Sequence, residues 1–418
     1  MCLKPIYVTI RPKVYQLDDF QGKSYEMPVP CGQCQECLKK RQAQYRTRVL
    51  LNSQKYQYSY FVTLTYNEDT LPIYCRLFEV DKDTGEVSSA KLLNDDNSLC
   101  TRFGCLDRSL PIWEDCRRRL NEVNNSSLRQ FYEDMDLGEV LLRYVYTDSL
   151  DYKDTQKFLK RLRASLSYRL GAAVPKLSYL ICGEYGPRTH RPHWHLLLMF
   201  DKPIENFDTY VKECWKYGFS LTERVGSSVQ DFGKVGSYIS KYIVKGKANE
   251  EPLAKAGFCV LPRVRSSVGF GSYLTPQQMI YLRCYDMVGE YSMFDYRKKL
   301  SDEKVTLLLQ EMSKRFNCLF PSTSTPVTKS LLKRLFSVRT PSGHDCWSPL
   351  YLELRNFKRE YAVARNDTLY RQYCSDFGYA EGTMDSYVAF EKYKETLSMV
   401  TEAKLKEASN AFYCRSAF

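Results

Sequence analysis

The sequence predicts an α+β fold. Strand-like runs of β-branched and aromatic residues cluster before about residue 300, and one-faced helical patterns dominate after it. The 418 residues are 44% hydrophobic and 26% charged, a globular balance that excludes wholesale disorder. At roughly 100–200 residues per domain, the length allows two or three domains. No internal repeat or low-complexity tract interrupts it.

After an irregular start, Cys31-Gly-Gln-Cys34-Gln-Glu-Cys37 leads into a basic helix, Leu38 to Arg48, carrying Lys39, Lys40 and Arg41. Tyr60-Phe-Val-Thr-Leu-Thr-Tyr66 reads as a strand, ended by the turn Asn67-Glu68-Asp69. Residues from about 73 to 143 hold no sustained period and read as an insertion of undetermined structure. Asp154 precedes a helical stripe of Phe158, Leu159, Leu162 and Leu166, with Lys157, Lys160, Arg161 and Arg163 largely off it. Leu177 to Glu184 and His193 to Phe200 form a hairpin joined by a Gly-Pro turn. Gly236 to Lys245 fits a short helix, and Thr275-Pro276 a helix start. Helical faces follow at Val305/Leu308/Leu309/Met312/Phe316, at Leu350/Leu354/Phe357/Tyr361 and at Phe390/Tyr393/Leu397/Val400.

The formal charge of +12 favours an acidic partner, nucleic acid foremost, and 33 tyrosines offer surfaces on which unpaired bases stack. The densest apolar run, Leu196 to Phe200, falls far short of the roughly 18 residues of a membrane span. Met1-Cys-Leu-Lys-Pro5 lacks the apolar stretch of a secretory signal, so a cytosolic protein with no membrane partner is expected. Its 16 cysteines are then reduced, with burial or metal ligation as their roles.

Chemistry concentrates at two places. His193 and His195 alternate with Trp194 along a strand and so share one face, where two imidazoles can grip one cation. Glu184, at the end of the preceding strand, can reach the same side. The three together form a two-His, one-carboxylate site with open positions for water or a phosphate oxygen. Further on, Tyr238 and Tyr242 are four apart on a helix, about 6 Å along its axis, and Lys241 and Lys245 each follow a tyrosine by three. A phenol, with an ordinary pKa near 10, needs such cationic help to act as a nucleophile at neutral pH. A third cluster, Cys31, Cys34 and Cys37, supplies three thiols where structural Zn²⁺ usually takes four ligands. Cys2, Cys75 or Cys182 are candidates for the fourth, and three thiols without metal are the alternative.

These residues carry a resemblance. Phe61 to Tyr66, Gly183-Glu-Tyr-Gly186 with Arg191-Pro-His-Trp-His195, and the Tyr-x-x-Lys-Tyr-x-x-Lys run from Tyr238 to Lys245 resemble the HUH endonucleases. The cysteine run and Phe158-Leu-Lys-Arg-Leu-Arg163 look most like the rolling-circle replication initiators of microviruses, the gokushovirus branch of bacteriophages in particular. The likeness spans roughly residues 30–275. It implies a central antiparallel sheet of the HUH/Rep type, RRM-like, in a domain over residues 1–275. A mainly helical region of unknown role then covers 276–418.

By that resemblance Glu184, His193 and His195 hold Mg²⁺ or Mn²⁺, and Tyr238 and Tyr242 are nucleophiles assisted by Lys241 or Lys245. His190 is a loop residue within reach of DNA. The implied activity is metal-dependent nicking and joining of single-stranded or melted origin DNA through a 5′-phosphotyrosine, in the cytoplasm of a bacterial host. Lys39, Lys40, Arg41, Lys160, Arg161 and Arg163 would follow phosphates. No Gly-x-x-x-x-Gly-Lys-[Ser/Thr] loop occurs, so host helicase and DNA polymerase are the expected partners. Two alternatives stand beside this: a non-enzymatic single-stranded nucleic-acid-binding protein on the same sheet, and a related transposase or plasmid initiator.

Overall fold

The computed structural model describes residues 6–10, 25–29, 31–32, 34–89, 104–123, 129–138, 140–186, 190–248, 260–283, 296–317, 327–339, 345–394, 396 and 399–400. Contacts divide the chain into two compact units, Arg48–Tyr273 and Met1–Thr47 with Leu274–Phe418. Strands β1 (Ile6–Ile10) and β2 (Tyr25–Val29) pair antiparallel, and helix α1 spans Gln35–Ser53. Then come β3 (Tyr58–Tyr66), β4 (Ile73–Asp81), β5 (Val87–Ser89), β6 (Gly104–Cys105), α2 (Ile112–Glu122), β7 (Gln130–Asp136) and β8 (Val140–Asp148). Helix α3 (Tyr152–Leu170) leads into the hairpin β9 (Leu177–Tyr185) and β10 (Pro192–Phe200). Helix α4 (Phe207–Cys214), β11 (Gly218–Val225), α5 (Val229–Ala248) and β12 (Val264–Ser266) follow.

The sheet that matters for function runs β11-β3-β10-β9-β12, every neighbour antiparallel. Alternation along β10 sorts its side chains between two faces. Trp194, Leu196, Leu198 and Phe200 join Val62, Leu64 and Tyr66 in a core closed by Phe158, Leu159, Leu162 and Leu166 of α3 and by Phe207 and Val211 of α4. The other face carries Phe61 and Thr63 of β3 beside His193, His195 and Leu197, and α5 packs on this sheet against β9 and β11. Asn52 of α1 donates to Ser178 Oγ at 3.1 Å, next to Met199. Gly183 is required where β9 passes the core. A Cβ there would lie 2.7 Å from Leu150 Cδ1 and 2.9 Å from Trp194 Cζ3.

Two helix starts differ from the sequence reading. Helix α3 begins before Asp154: Asp151 is its N-cap, accepting from the Lys153 N–H at 2.9 Å. Asp154 is instead buried, gripped by both Arg108 nitrogens at 2.9 and 2.8 Å. Helix α5 begins at Val229 rather than Gly236. A reciprocal cap explains this: Ser228 Oγ accepts from Asp231 N at 3.1 Å and Asp231 Oδ2 accepts from Ser228 N at 3.2 Å.

The segment without a readable period forms a second antiparallel sheet, β5-β4-β8-β7, with β6 beside β4. Helix α2 covers it with Trp113, Cys116 and Leu120 on Ile73, Cys75, Leu77, Leu142, Tyr144 and Tyr146. A charged chain ties this sheet to the turn after β3. Arg117 and Arg129 clasp buried Asp148 at 2.9 and 2.6 Å, Arg129 reaches Glu68 at 2.8 Å, and Glu68 pairs with Arg191.

In the other unit, helix Asp302–Asn317 buries Val305, Leu308, Leu309, Met312 and Phe316, the stripe its sequence spacing shows. Helix Pro349–Phe377 buries Leu350 and Leu354, but Tyr361 is 67% exposed, so that stripe covers only the helix's first turns. Phe390 and Tyr393 pack with Tyr370, Tyr373 and Cys374; Val400 is 46% exposed, and Leu397 lies outside the described residues. Among the described residues no helix is long and apolar enough to cross a membrane.

Candidate active site

Antiparallel register sets His193 directly opposite Glu184, and His195 opposite Cys182 one step along the same face. Glu184 Oε2 thereby lies 3.2 Å from His193 Nε2 and 3.1 Å from His195 Nε2, and the three donor atoms fall within 4.8 Å of one another. Glu184 and His195 are buried, and His193 is partly exposed.

The donor set fits a divalent cation. His193 Nδ1 lies 3.1 Å from the Arg191 carbonyl, which can only accept, so the ring proton sits there and Nε2 keeps its lone pair. A lone pair facing a buried carboxylate oxygen at 3.2 Å is repulsive unless a proton or a cation lies between them. Adjacent ligands around an octahedral ion with bonds near 2.1 Å are separated by about 3.0 Å, close to the spacings found. His195 is steadied by Thr63, whose Oγ1 is 3.3 Å from Nδ1.

The tyrosine pair arrives from the helix above. Phe232, Val235, Ile239 and Ile243 bury one stripe of α5, which turns Tyr238 and Tyr242 along the histidine face. The Tyr242 ring stacks on the His195 imidazole, centroids 3.8 Å apart. Tyr238 meets Phe61 edge-on at 5.2 Å, and Phe61 itself stacks on His195 at 5.7 Å. The Tyr242 hydroxyl donates to the Tyr238 hydroxyl at 2.5 Å. Aromatic contacts of this kind contribute about 0.5–1.5 kcal/mol each beyond area burial, enough to fix both phenols against the imidazoles.

Of the basic residues singled out by sequence, Lys241 is an exposed side chain on α5, between the two tyrosines; the Lys245 side chain lies outside the described residues. Lys160, Arg161 and Arg163 are on α3, which packs against the face opposite the histidines. Arg161 is tied down there, donating to the Cys214 carbonyl at 2.7 Å and lying over the Tyr217 ring. Lys39, Lys40 and Arg41 are on α1 in the other unit, with both lysines exposed. His190 sits in the loop before β10 with a left-handed φ of 52°.

Other residues were not reached by sequence reasoning. Phe219 and Leu221 of β11 register with Thr65 and Thr63, hence on the histidine face, and are 71% and 61% exposed. An exposed aromatic ring on a sheet face beside a polar cluster is a surface for an unpaired base. Its signal, the alternation Phe219-Ser-Leu221 on an edge strand, becomes meaningful only once register is known. Arg191 is a second case. It bonds the Tyr66 carbonyl at 2.6 Å and pairs with Glu68, so it anchors the segment entering β10 two residues before His193. Burial pushes the Glu68 carboxyl up, but Arg191 and Arg129 outweigh it and hold the carboxyl below its ordinary range.

Comparison with known proteins gives a consistent family. Residues 140–247, which contain the whole cluster and the tyrosine helix, match a family model described as replication-associated protein ORF2. The chain is similar to the replication-associated protein VP4 of Bdellovibrio phage phiMH2K, 28% identical over 153 residues, 32% of this chain and 49% of that protein. It is also similar to the replication-associated protein ORF4 of Chlamydia phage 1, 21% identical over 250 residues, 55% of this chain and 42% of that protein. The match thus spans less than half the length of either curated relative. No solved structure matches the chain.

Proposed function

We propose that this chain, a relative of the replication-associated proteins of microviruses, initiates phage replication by cutting and rejoining single-stranded origin DNA through a tyrosine-linked intermediate. The observation that carries this reading is the stack of Tyr242 on His195, which sets a phenol pair against two imidazoles and a carboxylate. Glu184, His193 and His195 would hold Mg²⁺ or Mn²⁺. Such an ion supplies Lewis acidity toward a non-bridging phosphate oxygen.

The chain's own residues do the rest. A phenolate on either tyrosine is stabilised by the hydroxyl of the other, 2.5 Å away. Two phenolates so close would repel, so the pair presents one nucleophile at a time. Attack forms a Tyr–O–P bond as the P–O3′ bond breaks, and the departing 3′-oxygen takes up a proton. The released 3′-hydroxyl can prime a host polymerase. The energy of the broken bond stays in the phosphotyrosine, and the second phenol remains for a later cut when the origin is regenerated. Lys241, between the two tyrosines on α5, supplies positive charge near the phosphate. Phe219 and Leu221 hold unpaired bases on the open part of the face, which favours single-stranded DNA as substrate.

The test is a covalent product. The full chain with Mn²⁺ and a random-sequence pool of single-stranded oligonucleotides should yield protein-linked DNA. Tandem mass spectrometry should find the nucleotide on Tyr238 or Tyr242. The double variant Tyr238→Phe/Tyr242→Phe should bind DNA but form no adduct. DNA binding by the wild type without any adduct would instead favour the non-enzymatic binding protein.

A further inference from the structure

We infer that Cys31, Cys34 and Cys37 form a second metal centre, a three-thiolate site for one zinc ion at the start of helix α1, separate from the tyrosine chemistry. Three observations carry it. The three sulfurs lie within 4.8 Å of one another, with Cys31 Sγ and Cys37 Sγ 4.0 Å apart. Thiolates sharing one tetrahedral ion at Zn–S distances near 2.3 Å are separated by about 3.8 Å, so the sulfurs already stand at the spacing of a single ion. A disulfide, with sulfurs near 2.05 Å, is not what this spacing represents.

The backbone is shaped for the same purpose. Gly32 takes a left-handed φ of 74°, which turns the chain sharply between Cys31 and Cys34. The turn aims the Cys34 N–H at Cys31 Sγ, 3.2 Å away. A backbone N–H pointed at sulfur favours thiolate over thiol. Cys34 then opens the helix, its carbonyl accepting from Leu38 N at 3.0 Å, and Cys37 lies within the first turn. The positive end of the helix faces the gathered negative charge.

Spacing also selects among metals. The run Cys-x2-Cys-x2-Cys occurs in iron–sulfur proteins as well, but there each thiolate binds a different iron of the cluster and the sulfurs stand farther apart. Sulfurs grouped within 4.8 Å suit one soft-binding ion, and thiolate donors select zinc over magnesium or manganese. Binding displaces the thiol protons to solvent, up to three per zinc, and leaves a fourth position for water or a further donor. Of the candidates for that position, Cys75 belongs to the core of the second sheet and Cys182 to β9, while Cys2 lies outside the described residues. The consequence is mechanical: zinc fastens the first turn of α1, which carries Lys39 and Lys40.

The test uses the full chain, purified without chelator and analysed for metals by mass spectrometry. Wild type and Glu184→Ala should both carry about one zinc per chain, and Cys31→Ser and Cys37→Ser less than about a tenth of that. Cobalt exchanged into wild type should give the intense near-ultraviolet sulfur-to-metal absorption of thiolate ligation. That readout needs no variant, so a misfolding cysteine mutant leaves the proposal falsifiable. Folded wild type with neither zinc nor the cobalt band overturns the proposal. So does bound iron with acid-labile sulfide, or zinc that disappears with Glu184→Ala and stays with Cys31→Ser.

Discussion

Replacing Thr63 with valine probes the site with little disturbance of the fold. Thr63 sits on a central strand where valine, also β-branched, pairs equally well, so folding stability should change by no more than about 1 kcal/mol. The substitution removes the hydroxyl 3.3 Å from His195 Nδ1, freeing the ring to turn and lowering the basicity of the opposite nitrogen. Partners of this kind are worth about 10–100-fold in metal affinity, or roughly 1.4–2.7 kcal/mol. Calorimetric titration of Mn²⁺ into zinc-loaded full chain should show Thr63→Val weakened by that factor. Glu184→Gln, which removes a ligand, should lose measurable binding. If Thr63→Val binds Mn²⁺ as tightly as wild type while unfolding at the same denaturant concentration, the assignment of His195 as an oriented ligand is wrong.

Three further outcomes follow from the same geometry. Gly183→Ala drives a methyl group into Leu150 and Trp194 and should cost about 1–3 kcal/mol in urea unfolding, since neither neighbour has room to retreat. Phe219→Ala should weaken single-stranded DNA binding by about 1–3 kcal/mol in fluorescence anisotropy, with Mn²⁺ affinity unchanged. Because Glu68 titrates below its ordinary value of 4.5 in the folded chain, its contribution to stability is complete above that pH and disappears as pH falls through the depressed value. In a urea series taken through and below pH 4.5, wild type should therefore lose stability that Glu68→Gln does not; parallel curves would refute the Glu68–Arg191 coupling.

What the sequence made legible is what depends on neighbours along the chain. Alternation in His193-Trp-His195 shows which residues share a face, and the Tyr238/Tyr242 spacing shows one helical side. The hairpin follows from two strand patterns around a turn. What stayed hidden depends on register between distant strands. The partners β4 and β8 lie some sixty residues apart in sequence, and their side chains alternate too weakly to announce a sheet. Thr63 becomes the support of His195 only because β3 pairs with β10 in that register, and Phe219 joins the face only through β11. The early start of α5 was masked by Gly233 and Gly236, which read as breakers, although Ser228-x-x-Asp231 is a capping signal in plain view. Asp154 resembled a cap because its pairing with Arg108, 46 residues away in the chain, leaves no local trace.

The account turns on a single ion bound by Glu184, His193 and His195 beside the phenols. Anomalous diffraction at the manganese edge, from crystals of the full chain grown with Mn²⁺, locates it directly. The geometry predicts a peak bounded by Glu184 Oε2 and the Nε2 atoms of His193 and His195, absent from folded Glu184→Gln. A manganese peak elsewhere, or one that survives that substitution at full height, would contradict it.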